Sequence, residues 1–124
     1  MHQFEDLKIW KKSIELAKEV YKIVADLPKD EKFGLSSQIK RCTVSIASNI
    51  AEGAGRNSNT EFRHFLGIAN GSCFELQTQL TLTFELQLLE KEKLQPVLEL
   101  LREIQKMNYA LIKRFDKPPL DSKI

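Results

Sequence analysis

Residues 35–55 run Leu35-Ser36-Ser37-Gln38-Ile39-Lys40-Arg41-Cys42-Thr43-Val44-Ser45-Ile46-Ala47-Ser48-Asn49-Ile50-Ala51-Glu52-Gly53-Ala54-Gly55, and their spacing decides the fold class. Leu35, Ile39, Cys42, Ile46, Asn49 and Ile50 return at three-four spacing, the period of one helix face. The pattern predicts a helix starting around Leu35 to Ser37. It stops at Gly53-Ala54-Gly55, where glycine takes the left-handed conformation past a helix end without penalty.

Downstream, Asn57-Ser58-Asn59-Thr60-Glu61 supplies a capping box, with Ser58 accepting from the amide of Glu61 and the Glu61 carboxylate reaching back. A third helix begins there, with Phe62, Leu66, Ala69, Cys73, Leu76, Leu80 and Phe84 on its inner face, and it breaks near Leu88 to Lys91. A fourth carries Leu94, Val97, Leu101, Ile104, Asn108, Leu111 and Phe115 in a heptad-like series, with Pro96 tolerable only in the first turn. Pro118-Pro119 closes the fold, so residues 1–117 read as one bundle domain and 118–124 as a loose tail.

Upstream, a first helix ends near Pro28 and carries two apolar stripes. Leu7, Trp10, Ile14, Ala17, Tyr21 and Val24 form the stripe expected to enter the core. Ile9, Leu16, Val20, Ile23 and Leu27 form the second, more apolar surface than one neighbouring helix covers. Ile9, Leu16, Val20 and Ile23 are therefore the expected subunit interface. Four helical segments, short connections and no alternating β pattern predict an all-α, antiparallel up-and-down four-helix bundle.

The 124 residues are one domain's worth of chain, and 42% hydrophobic with 29% charged residues is an ordinary globular mixture, which excludes disorder and collagen. No apolar run approaches the ~20 residues that cross a bilayer, and Met1-His2-Gln3-Phe4-Glu5-Asp6 has no signal-peptide pattern, so the expected location is cytoplasmic, with no membrane partner. Two cysteines cannot make a disulfide framework or a four-ligand zinc site; Cys42 and Cys73 read as reduced core residues.

Catalytic chemistry finds little support. Glu61-Phe62-Arg63-His64 has a Glu-x-x-His spacing but stands alone, and the capping box already explains Glu61, so no metal or other cofactor is expected. The middle helices are dense in small and polar residues, with Gly67 and Gly71 four apart. Helix-interior glycine costs about 1 kcal/mol relative to alanine, so close backbone approach is expected at this pair. Asn49, Glu52, Ser72 and Glu75 form an expected polar cluster that fixes helix register, and an enzyme built on it ranks below that reading because no nucleophile–base pair or phosphate loop is visible. Neither catalysis nor a small-molecule substrate is expected.

Charge is uneven. Residues 32–64 hold Lys32, Lys40, Arg41, Arg56 and Arg63 against Glu52 and Glu61, whereas residues 65–90 hold only Glu75, Glu85 and Glu90. Lys113, Arg114, Lys117 and Lys123 gather near the end. A net charge of +2 and a pI near 8.5 permit a nucleic-acid partner without demanding one. Aromatic interleaving is absent from both basic regions along the sequence, so the expected contacts are to phosphates, through Lys40, Arg41, Arg56 and Arg63.

Gly34-Leu35-Ser36-Ser37-Gln38-Ile39-Lys40-Arg41, the run from Ser45 to Gly53, and Gly71-Ser72 followed by Glu75-Leu76-Gln77-Thr78-Gln79-Leu80 resemble a bacterial family. It is the four helix bundle protein family, also called the 23S ribosomal RNA intervening-sequence proteins, related to the accessory variability proteins of diversity-generating retroelements. Phe4, Asp6-Leu7 and Trp10 fit it too, and the likeness runs from about Phe4 to Phe115. Cys42-Thr43 departs from the small residues usual there. The resemblance implies a homopentameric ring of bundles without enzymatic activity. For the retroelement relatives it implies binding of a reverse transcriptase and of RNA or DNA through a basic surface. The expected function is thus a non-catalytic homo-oligomer that associates with nucleic acid, or with an enzyme acting on it, through repeated basic patches whose avidity exceeds one copy's affinity. A purely protein-binding scaffold is the alternative.

Overall fold

The computed structural model describes residues 3–115. His2, Lys117, Pro118-Pro119 and the expected tail at 118–124 lie outside the described residues. Among the described residues there are four α-helices and no strands: α1 Lys8–Val24, α2 Leu35–Ala54, α3 Asn59–Glu85 and α4 Lys91–Phe115. Short 3-10 turns at Phe4–Asp6 and Lys29–Glu31 precede α1 and α2. No helix is long and apolar enough to cross a membrane.

Each boundary has a local cause. Glu31 Oε1 accepts from the Leu35 amide at 3.2 Å, satisfying a donor that α2 leaves open at its start. Ser58 is extended and its Oγ accepts from the Glu61 amide at 3.1 Å, which starts α3 where the sequence puts it; the returning Glu61 carboxylate meets the Ser58 hydroxyl at 3.4 Å in place of the Ser58 amide, so only the Ser58 half of the expected capping box forms. The left-handed residue sits elsewhere than expected. Helix α2 runs through Gly53 to Ala54, Gly55 keeps a right-handed φ of −81°, and the left-handed position is Gln87, φ 60°, just past α3. The Leu88 amide donates to the Thr83 carbonyl and the Gln87 amide to that of Phe84, a Schellman closure that turns the chain into α4. Pro96 lies in the second turn of α4 rather than the first, on the exposed side.

The core is one cluster to which all four helices contribute; Leu16, Val20, Ile39, Ile46, Ile50, Leu66, Leu76, Leu80 and Ile104 have no solvent exposure. Burying such a side chain contributes roughly 1.5–3 kcal/mol. Helix α2 packs on α1 and α3, and α4 on α3 and α1, while among the described residues the backbones of diagonal helices stay more than 8 Å apart between Cα atoms. Three buried polar side chains are tied to backbone: Ser13 Oγ donates to the Ile9 carbonyl at 2.7 Å, Thr83 Oγ1 to that of Gln79, and Asn108 Nδ2 across to that of Leu66 at 3.0 Å, whereas Thr43 Oγ1, Gln79 Oε1 and Asn108 Oδ1 are buried without a partner among the described residues.

Three packing expectations are corrected. The stripe assigned to a subunit interface, Ile9, Leu16, Val20 and Ile23, is the inner face of α1, between 0% and 9% exposed. Ile14 and Tyr21, from the stripe expected inside, are exposed. The polar atoms of Trp10 and Tyr21 favour positions that reach water, whereas Ile14 is exposed with no polar atom to explain it. The second correction concerns glycine. Gly67 and Gly71 are exposed, and a Cβ on either would meet nothing within 4 Å. Close approach occurs at Gly53, where a Cβ would lie 2.7 Å from Phe65 Cβ and 3.0 Å from Phe62 Cδ1. Third, Phe84 is exposed and Thr83 takes its place inside.

Candidate nucleic-acid interface

Helix α2 carries Lys40 and Arg41 on different sides because neighbours in a helix diverge by about 100°. Lys40 leans toward α1, its Nζ 5.1 Å from the Tyr21 ring centroid. Arg41 is exposed toward α3, at the lip of a cleft of about 380 Å³ shared with Gln38, Cys42, Ser45, Ser72 and Glu75. At the far end of α2, Arg56 donates to Glu52 Oε1 at 2.9 Å and lies 4.9 Å over the Phe65 ring. Arg63, exposed near the start of α3, borders a hollow with His64, Gly67 and Ile112 of α4. The four expected phosphate contacts therefore spread over several sides of the bundle and form no single patch.

Of the four residues expected in a polar cluster, the structure brings Asn49, Ser72 and Glu75 into one network. Asn49 Nδ2 donates to the Ser45 carbonyl at 2.8 Å and to Ser45 Oγ at 3.0 Å, and Ser45 and Ser72 share a hydroxyl hydrogen bond of 2.9 Å between α2 and α3. Cys42 Sγ donates to the Ser72 carbonyl at 3.0 Å and to Glu75 Oε1 at 3.6 Å. Glu52 stands outside the cluster, paired with Arg56 at the surface. Sequence reasoning missed Cys42 and Ser45 as its centre; their three-residue spacing opposite Ser72 and Glu75 was the available signal. Burial, reinforced by the Glu75 carboxylate, pushes the Cys42 thiol up to about 12, and burial alone does the same for Cys73. Both stay protonated at neutral pH, which disfavours either as a nucleophile.

His64 is exposed, edge-on to Phe65, and no group of His, Cys, Asp and Glu suited to a metal ion occurs among the described residues. The reading that basic regions lack aromatic neighbours is corrected in three dimensions. Besides Lys40–Tyr21 and Arg56–Phe65, Lys32 lies 5.4 Å over Phe33 and Lys113 5.5 Å over Tyr109. Helix packing supplies rings from other segments in the first two pairs; the last two were legible as i,i+1 and i,i+4 neighbours.

Residues 5–110 match the model of the 23S rRNA-intervening sequence protein family. The chain belongs to this family. A crystal structure of a protein of unknown function from the S23 ribosomal protein family of Bacteroides thetaiotaomicron is similar, with 28% identity and a TM-score of 0.78 over 85% of this chain and 95% of that one. No curated protein matches. The matched span holds both Asn49 of the polar cluster and Gly53, at which α2 meets Phe62 and Phe65.

Proposed function

We propose that this family member is a non-catalytic, homo-oligomeric, antiparallel up-and-down bundle that works in the cytoplasm and associates with RNA, or with an enzyme acting on nucleic acid such as a reverse transcriptase. The antiparallel arrangement is supported by pairings with α4 that run in opposite directions: Lys12 of α1 with Glu103, and Asp26, just past the end of α1, with Lys93. The observation that carries the nucleic-acid reading is that Lys40 and Arg41 have no carboxylate partner among the described residues; Lys40 lies over a ring and Arg41 is exposed. Both charges remain available to phosphate.

Self-association, a pentameric ring in this proposal, uses the outward stripe of α1 in place of the buried one. Ile14 and, on adjoining α2, Val44 are 37% and 45% exposed. Joining copies through them repeats each Lys40–Arg41 pair around the assembly. Light scattering should report a multimer that Ile14→Glu with Val44→Glu reduces to monomer. The full chain should retain structured RNA at ~50 mM salt, with affinity falling linearly on a log–log salt plot, and Lys40→Gln with Arg41→Gln should weaken it across sequences. A monomeric wild type rejects the assembly, and an absence of RNA retention moves the function to a protein scaffold.

A further inference from the structure

Helix α4 carries an unassigned surface. Arg102, Lys106, Tyr109 and Lys113 recur at steps of four, three and four, which sets them in one stripe away from the buried Leu101, Ile104 and Asn108. All four are exposed, Tyr109 by 62%. None of the three cations has a carboxylate partner among the described residues: Glu103 is held by Lys12 of α1 at 3.2 Å, and Glu99, one turn before Arg102, makes no ion pair. Lys113 Nζ sits 5.5 Å from the Tyr109 centroid, beside a ring that stays largely open to solvent. Beside the stripe, Gln105 Nε2 donates to Gln77 Oε1 of α3 at 3.0 Å, which leaves the Gln77 amide as a donor and the Gln105 carbonyl as an acceptor.

Unpaired cations flanking an exposed ring fit a polyanion that also offers flat π-faces. A duplex hides those faces in its own stack, whereas a single strand can lay a base on tyrosine. The stripe spans about 16 Å at ~1.5 Å per residue, room for a short run of single-stranded nucleotides. A neighbouring donor and acceptor match the 2′-hydroxyl, which is both.

We propose that the outer stripe of α4 binds single-stranded RNA, with a base stacked on Tyr109, phosphates on Arg102, Lys106 and Lys113, and the Gln77–Gln105 pair meeting a 2′-hydroxyl. This deepens the nucleic-acid reading above and rests on it, but it places the contact on different residues. The test is fluorescence anisotropy of the full chain with a labelled single-stranded RNA of ~12 nucleotides, within the usual range of such sites. Tyr109→Ala should weaken binding roughly 5- to 100-fold with the salt slope unchanged, and Tyr109→Phe should bind like wild type. Arg102→Gln, Lys106→Gln and Lys113→Gln together should flatten the log–log salt slope by about 2, three phosphates at ~0.7 each. DNA of the same sequence and the RNA duplex should both bind more weakly. Wild-type affinity in Tyr109→Ala, or equal affinity for the DNA or the duplex, overturns the assignment. If only the Lys40 and Arg41 variants lose binding, this surface is wrong and the broader reading stands; if wild type binds no RNA at ~50 mM salt, both fall.

Discussion

Gly53 and Gly71 are both helical glycines on the two helices that share the polar seam, yet an added methyl group meets opposite surroundings at the two. At Gly53 the new Cβ would stand 2.7 Å from Phe65 Cβ and 3.2 Å from the Phe62 carbonyl, groups fixed to the α3 backbone. At Gly71 it would meet nothing within 4 Å. One glycine is where α2 and α3 touch; the other is a gap in the outer surface. The contact organises that end of the molecule, because Phe62 is buried with its ring centroid 5.0 Å from that of Phe115 on α4, and Arg56 covers Phe65. A small side chain thus acquires meaning only from the face it occupies, and the same holds for the two stripes of α1.

The strongest way to break this inside–outside distinction is on α1. Leu16→Ala removes a side chain with no exposure and should destabilise the fold by about 2–5 kcal/mol, whereas Ile14→Ala, two residues earlier on the outward side, should cost the folded chain far less. Chemical denaturation of both variants, at a concentration where their assembly states match, decides it. Equal losses would mean that the two stripes are buried alike. A smaller effect is expected at Gly53: Gly53→Ala gains about 1 kcal/mol of helix propensity but must displace Phe65 or part α2 from α3, for a net loss of about 1–3 kcal/mol. A melting temperature at or above wild type would show that the seam opens without cost.

These distinctions were partly legible before any coordinates. Three-four periodicity placed all four helices, and Ser58 with Glu61 fixed the start of α3, because capping is local chemistry. Stripe assignment on α1 failed because both stripes are apolar and periodicity gives a direction only relative to a known core. Residue type held the missing signal: Ile9, Leu16, Val20 and Ile23 are purely aliphatic, whereas Trp10 and Tyr21 carry polar atoms that favour a boundary. Gly67 and Gly71 were misjudged by asking why glycine is present rather than which way it faces. Measured against Leu66, Ala69, Cys73 and Leu76, all buried, both fall on the opposite side of α3. The cation–ring pairs Lys40–Tyr21 and Arg56–Phe65 were beyond sequence reading, since each joins segments that only packing brings together.

The subtlest effect is at Gly71, and its sign is what sharpens the comparison. An exposed glycine inside a helix leaves the unfolded chain more backbone freedom to lose and exposes peptide groups to water, which together cost about 1 kcal/mol relative to alanine. Nothing at Gly71 offsets that cost within the single chain, since no neighbouring atom lies close enough to be displaced by a methyl group. Gly71→Ala should therefore stabilise the folded chain by up to about 1 kcal/mol, the reverse of Gly53→Ala, and a rise in denaturation midpoint with unchanged slope reports it. If the midpoint falls instead, something outside one chain must press on the outer face of α3. The same variant run at two protein concentrations separates the cases: a loss that grows with concentration locates the contact between copies, and one that does not returns Gly71 to an intramolecular role.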